Sequence, residues 1–215
     1  MARPVWLTAV LSLVRRHLED AEHFYNAVES HCADEMRKLK RKEAQHLPSY
    51  WKHEAGYGMT RGELFSAEYA QVETLQSLNR LFAVVLVYGM LDWFLFLLFE
   101  DAKRLRLVKS VDIKKNRFLD LKRYARMLKK DLNINLIECQ GTYQALNRLR
   151  AIRNAVAHHG GWVHSENEKE LRQFGFREHG PIELSEGEFR TNKKIVFLTC
   201  QTLARQYDEF VRENA

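Results

Sequence analysis

Residues 140–161 read QGTYQALNRLRAIRNAVAHHGG, and the rest of the chain is read outward from this run. Leu146, Leu149, Ile152 and Val156 recur at helical intervals, which predicts a helix from about Gln140 with one buried face. Two glycines close the run, so Gly160 is expected just past the helix end. His158 and His159 then fall in the last turn, where the helix dipole favours a protonated imidazole. At about 100° per residue, Arg150, Asn154 and His158 lie within about 80° of one another, with Arg153 about 60° beyond Arg150. Two guanidiniums, an amide and a titratable ring are therefore expected along one broad face of the helix end. Such a set suits an anion with a proton donor or acceptor beside it.

Cleavage of RNA without a metal is chemistry that this set can serve. A ribose 2′-hydroxyl attacks the neighbouring phosphate. One group must accept its proton, another must protonate the leaving 5′-oxygen, and a third must bind the charge that grows on the phosphate. Histidine suits the proton work because its reference pKa of about 6.5 lies near working pH. Arginine suits the phosphate because its planar fork binds two oxygens at once. One ring cannot serve as acid and base in the same instant, so a two-fold dimer that supplies a second copy is expected. Spacing alone leaves the plainer alternative open, with Arg150 and Arg153 as surface charges and His158 as a capping imidazole.

Arg153, Asn154 and His158, with four residues between the arginine and the histidine, late in a helical chain, resemble the signature of HEPN-domain proteins. The resemblance implies an all-α fold: a HEPN-like bundle of long antiparallel helices with a small β-hairpin before the last helix. It also implies a homodimer with facing motifs, and in many members a metal-independent endoribonuclease acting as a toxin or defence effector. On that reading Arg153 holds the scissile phosphate, His158 transfers the proton, and Asn154 holds the phosphate or the histidine. Arg150, His159, Lys122, Arg123 and Arg126 are candidate substrate contacts. No cofactor and no metal are implied. RNA is the implied partner, with an antitoxin or defence-system protein as a further one. Some members carry a modifiable tyrosine two residues past the histidine; Gly160 stands there in this chain. The alternative is a non-catalytic HEPN-like module that binds RNA, a nucleotide or a protein.

Composition agrees with a folded, helix-rich chain: 46% hydrophobic residues and only three prolines in 215 residues, which excludes a disordered protein. The expected organisation is one domain, with residues 1–62 as a long helix and connector and residues 63–215 as the bundle that carries the motif. Cys32, Cys139 and Cys200 lie far apart, which excludes the usual zinc spacing and fits a reducing compartment. The first residues lack the pattern of a secretion signal, and a cytoplasmic protein is expected. The net charge is +6, yet residues 101–131 hold twelve Lys or Arg against four Asp. A local +8 in a chain otherwise slightly acidic is the footprint expected for a phosphate backbone; a solvated helix face is the competing reading.

The other segments are read in turn. Residues 5–43 are expected as one helix, with Trp6, Val10, Leu13, Phe24 and Val28 as its apolar stripe. Residues 45–62 are a connector whose Tyr50, Trp51 and Tyr57 pin the loop or stack bases. Thr60 and Glu63 match a capping box, and a helix is expected to run from Glu63 to about Lys109, with Val72, Leu75 and Leu78 on its apolar side. Within it, residues 81–99 carry one charge, Asp92. Length makes this a candidate membrane span, but an acid mid-span is costly in lipid, and a core helix is the favoured reading. Asp92 then needs a buried partner, and an arginine of residues 140–161 is a candidate that would be oriented by it. Residues 114–131 are expected as a basic helix. Residues 162–173 read as a polar surface loop, residues 182–190 as a hairpin turning at Glu186-Gly187, and Thr191 as the cap of a last helix.

Overall fold

The structure, a computed structural model, describes residues 5–45, 65–108, 121–136 and 140–214. Among the described residues it is all-α: α1 (Val5–Gln45), α2 (Ser66–Arg104), α3 (Leu121–Leu132), α4 (Gln140–His159), α5 (Ser165–Arg172) and α6 (Glu186–Asn214). The aromatic connector, the capping box at Thr60 and the start of the basic helix lie outside the described residues.

The chain divides into two compact units, His23–Arg80 and Met1–Glu22 with Leu81–Ala215. In the first, the later part of α1 runs antiparallel to the start of α2. Tyr25, Cys32 and Leu39 are buried along α1, as are Phe65, just before α2, and Asn79 on it. A seven-residue interval separates the α1 positions, and Val72 continues the same interval on α2, half-buried. This is the pattern of a coiled-coil seam, in which a polar residue fixes register. Asn79 does so here, donating from Nδ2 to the Tyr25 carbonyl at 3.2 Å. The Arg80 guanidinium grips Glu29 with two nitrogens, at 3.1 and 2.9 Å. The expected stripes are only partly inward: Trp6, Val10, Val28 and Val72 are half-buried. Phe24 is 62% exposed, and Leu13, Leu75 and Leu78 are exposed too. The seam uses the residues that repeat every seventh position, not the largest apolar ones.

In the second unit the core helix is α2 from Leu81 onward. Val87, Leu91, Leu95 and Leu98 are fully buried, each stabilising the fold by about 1.5–3 kcal/mol. Phe99 stacks on Tyr124 of α3, with ring centroids 5.8 Å apart. Tyr207 of α6 donates to Asp101 at 2.9 Å, and His17 of α1 meets Trp93 edge-on. The Ser66–Arg104 helix is long and apolar enough to cross a membrane, but half of its most apolar window is buried within the protein.

Two expected features are corrected. Residues 165–172 form a helix, not a loop. Glu166 and Glu168 in its first turn and Lys169 and Arg172 in its last complement the dipole. Buried Leu171 anchors it, and the Asn167 side chain accepts from the His164 backbone N–H at 2.8 Å. No hairpin turns at Glu186-Gly187, because both residues lie in the first turn of α6. Ser185 and Glu188 form the start signal: the Glu188 carboxylate accepts from the Ser185 backbone N–H. Thr191 is one turn inside the helix and its hydroxyl donates to the Gly187 carbonyl. The β-pairing among the described residues is an isolated antiparallel bridge between Trp162 and Pro181.

Candidate functional site

Helix α4 ends where its glycines place the end. Gly160 has φ +61° and Gly161 φ +84°, both left-handed and unstrained only for glycine. The Gly161 N–H returns to the Ala155 carbonyl at 3.1 Å. Gly161 is also buried against Leu81: a Cβ there would lie 2.6 Å from Leu81 Cδ1. Across the next residues Val163 N–H donates to Gly180 and Ile182 N–H to Gly161, both at 2.8 Å. The turn after the histidines is thus held to a neighbouring strap on one side and to α2 on the other.

Arg153 faces α2. Its Nη2 donates to Asp92 Oδ2 at 2.8 Å, and its Nη1 to Asn154 Oδ1 at 2.9 Å. The guanidinium carbon stands 5.3 Å from the centre of the Tyr88 ring, a cation–π distance. The side chain keeps 16% of its surface. Three contacts of different kinds therefore set the plane and position of this cation. Asp92 is the lone acid in the apolar run of α2. Burial pushes its carboxyl up to about 6, with Arg153 pulling the other way through its hydrogen bond and charge. Its second oxygen, Oδ1, is buried with no hydrogen-bond partner among the described residues, which adds to the cost of the ionised form.

His158 and His159 sit in the last turn as expected, and the His158 side chain is exposed. Its ring lies 6.4 Å from that of His159, which in turn lies 5.2 Å from that of His164. His159 Nε2 is 4.0 Å from Glu166. The motif residues share a helix end but not one face. Arg153 is turned inward to α2 and His158 outward, which follows from the angle of about 140° between positions five apart.

The second arginine has a different setting from the one expected. Arg150 is ion-paired with Glu170 of α5 and donates from Nε to Asn147 Oδ1 at 3.0 Å. It ties α4 to α5, a role invisible while residues 162–173 read as a loop. Arg148 likewise ties α4 to Glu188 and covers Phe176. On α3, Lys122 and Arg126 are exposed and Arg123 is half-buried. Tyr124 connects this helix to the site: burial, and then the Asp92 charge, raise its hydroxyl pKa. Tyr124 is on the buried side of α3, and Lys122 and Arg126, about 160° round the helix from it, lie on the opposite, exposed side.

No family model, curated protein or solved structure matches this chain. Its chemistry is read from its own residues. One carboxylate–histidine cluster with ligand-like spacing, Glu168, Glu178 and His179, occurs among the described residues. Arg172 is paired with both of its acids, so the charge a metal would need is already answered.

Proposed function

We propose that this chain is a HEPN-type endoribonuclease that cleaves RNA by 2′-hydroxyl attack, without a metal, in a site shared by two copies. The observation that carries the reading is the Arg153 guanidinium. It is fixed by Asp92, Asn154 and Tyr88 on the helix whose last turn exposes His158. A positioned cation and a titratable ring are the minimum for phosphoryl chemistry at a ribose; within one copy Arg153 and His158 point to different sides of the helix end, which is why the reading needs a second copy. Arg153 binds the scissile phosphate and the charge that develops on it. Asn154 holds the guanidinium and is within reach of the same phosphate. His158 moves the proton, its ring open to an incoming substrate. The exposed basic face of α3 follows the phosphate backbone. A role as a toxin or defence effector belongs to the same reading.

The test is labelled RNA incubated with purified protein in EDTA. Fragments ending in a 2′,3′-cyclic phosphate are expected. His158→Ala is expected to lower the rate by about 10²–10⁴-fold with an unchanged circular dichroism spectrum, because the side chain is exposed. Intact RNA shifted in a gel by the wild type points instead to the non-catalytic binding module. Full cleavage by the His158→Ala protein removes His158 from the mechanism.

A further inference from the structure

We propose that Trp162, with His164 beside it, is a stacking platform for an unpaired nucleobase next to His158, so that the RNA taken by this end of α4 is single-stranded. The inference rests on the nuclease reading for the identity of the ligand and deepens it by naming the substrate class; the placement of Trp162 carries it.

The segment that follows the Gly160-Gly161 turn alternates in burial. Gly161 and Val163 are buried, and Trp162 and His164 are exposed. His164 is extended, with φ −112° and ψ 163°. Residues two apart on an extended chain point to the same side. Trp162 and His164 therefore share the outer side, roughly 6.6 Å apart along the backbone. Pro181, opposite Trp162 in the antiparallel bridge, is exposed too. Trp162 keeps 50% of its surface. Burying an aromatic side chain removes about 150–250 Å² from water, and the fold does not use that gain here. Val163 takes the inward position and the indole faces solvent.

The same surface leads to His158. The His164 ring lies 5.2 Å from that of His159, which lies 6.4 Å from that of His158. The Trp162 N–H donates to the His159 carbonyl at 3.1 Å, so its backbone is one hydrogen bond from the neighbour of His158. Residues 158–164 hold three imidazoles, one indole and no lysine or arginine, and Glu166 stands 4.0 Å from His159. A surface of rings, with an acid beside it, suits the face of a base better than a phosphate backbone. Unpaired bases are held by stacking on such side chains, and bases inside a duplex keep those faces stacked on each other.

The platform is rigid before any ligand arrives. The Trp162 carbonyl accepts from Asn167 Nδ2 at 3.1 Å, and Asn167 Oδ1 accepts from the His164 N–H at 2.8 Å. Val163 N–H to Gly180 and Ile182 N–H to Gly161 close the other edge. With the backbone fixed on both sides, a base has only two indole torsions to order.

The test uses the full chain and a 2′-O-methyl oligonucleotide, which binds without being cut. Three probes are compared by fluorescence anisotropy: the single strand, an abasic strand of the same length, and the duplex. Trp162→Leu is expected to weaken binding of the single strand by about 5- to 150-fold, the worth of one stacked base, and to leave the abasic strand and the duplex unchanged. Trp162→Phe is expected to recover most of the loss. The wild type gives a measurement that needs no variant: it should prefer the single strand to the abasic one and quench 2-aminopurine placed in it. A wild type that binds both strands equally or binds neither, or a Trp162→Leu chain that keeps the single strand or loses all three probes alike, overturns the proposal. Cleavage of ordinary RNA, measured in parallel, separates the two readings. Base-dependent binding through Trp162 with RNA left intact refutes the nuclease alone. RNA cut with the same KM by the wild type and Trp162→Leu refutes the platform alone.

Discussion

Two carboxylates, each gripped by an arginine, titrate in opposite directions, and the difference shows what Arg153 costs. At Glu29, burial raises the carboxyl pKa, but hydrogen bonds from Arg80, Gln76 and Asn79 together with the Arg80 charge outweigh it, and the net shift is downward. At Asp92, burial wins and the carboxyl rises to about 6. Glu29 therefore contributes stability that is present above its ordinary value of 4.5 and is lost as the pH falls through its lower folded value. Asp92 does the reverse. Its folded form holds a proton that the unfolded form has released, so its contribution is intact below 3.8 and is lost as the pH rises through about 6. Asp92→Asn keeps an oxygen to accept from Arg153 and removes this titration. Urea unfolding should show the wild type losing stability relative to that variant between pH 4 and pH 6.5, by about 2–3 kcal/mol at most. Equal pH profiles would mean that Asp92 is solvated. Arg153→Ala should cost both chemistry and fold, since it strands a half-buried carboxylate. Arg153→Lys restores the charge but not the fork, and is expected to recover stability more than RNA cleavage.

At the scale of elements, the turn after α4 is where fold and site are most tightly joined. Gly161→Ala puts a Cβ at a φ of +84° and against Leu81. We expect a loss of about 1–3 kcal/mol by chemical denaturation. Leu81→Ala in the same chain should recover the part owed to crowding but not the part owed to the backbone. The sequence foretold this turn because two consecutive glycines after a strongly periodic run leave little else to expect. It likewise foretold α1 and α4, and the need of Asp92 for a buried partner, since a lone acid among nineteen apolar-rich positions has few stable solutions. Other elements were harder to read for physical reasons. Helix α5 buries one leucine and is held by end charges and a cap, so its composition resembles a loop. The start of α6 offered two signals: Glu186-Gly187 suits a turn, while Ser185 and Glu188 suit a cap, and only packing of Phe189 decided between them. The coiled-coil seam was hidden because its positions hold tyrosine, cysteine and asparagine while larger apolar groups face outward. The inward turn of Arg153 was open to geometry alone; the pairing of Arg150 was not, because its acid belongs to α5.

Over the whole molecule the charge is segregated. A net +6 contains a stretch of +8 between residues 101 and 131, and the described part of that stretch exposes Lys122, Arg126, Lys129 and Lys130 on α3. The same helix buries Leu121, Tyr124 and Leu128 against the core, so Tyr124 is turned inward and the cations line the opposite, exposed side. When such cations meet a phosphate backbone, the counterions they displace drive the binding. Two features of RNA binding then separate. Loss of Lys122 and Arg126 removes displaced counterions but leaves the reacting groups in place. For the Lys122→Ala/Arg126→Ala chain the slope of log affinity against log salt, on single-stranded RNA, should become shallower by about 1.4, at about 0.7 per phosphate contact. The rate of cleavage at saturating RNA should stay near that of the wild type, because α3 supplies position and not chemistry. His158→Ala should do the opposite, with an unchanged salt slope and a collapsed rate. Fluorescence anisotropy across a salt series, paired with single-turnover cleavage on the same RNA, measures both quantities for each variant. If the α3 variant keeps the wild-type slope, the basic helix is an ordinary solvated face and the backbone runs elsewhere. If it keeps the slope but loses the rate, α3 holds the site together, and its lysines and arginines act through Tyr124 and Asp92 instead of through RNA.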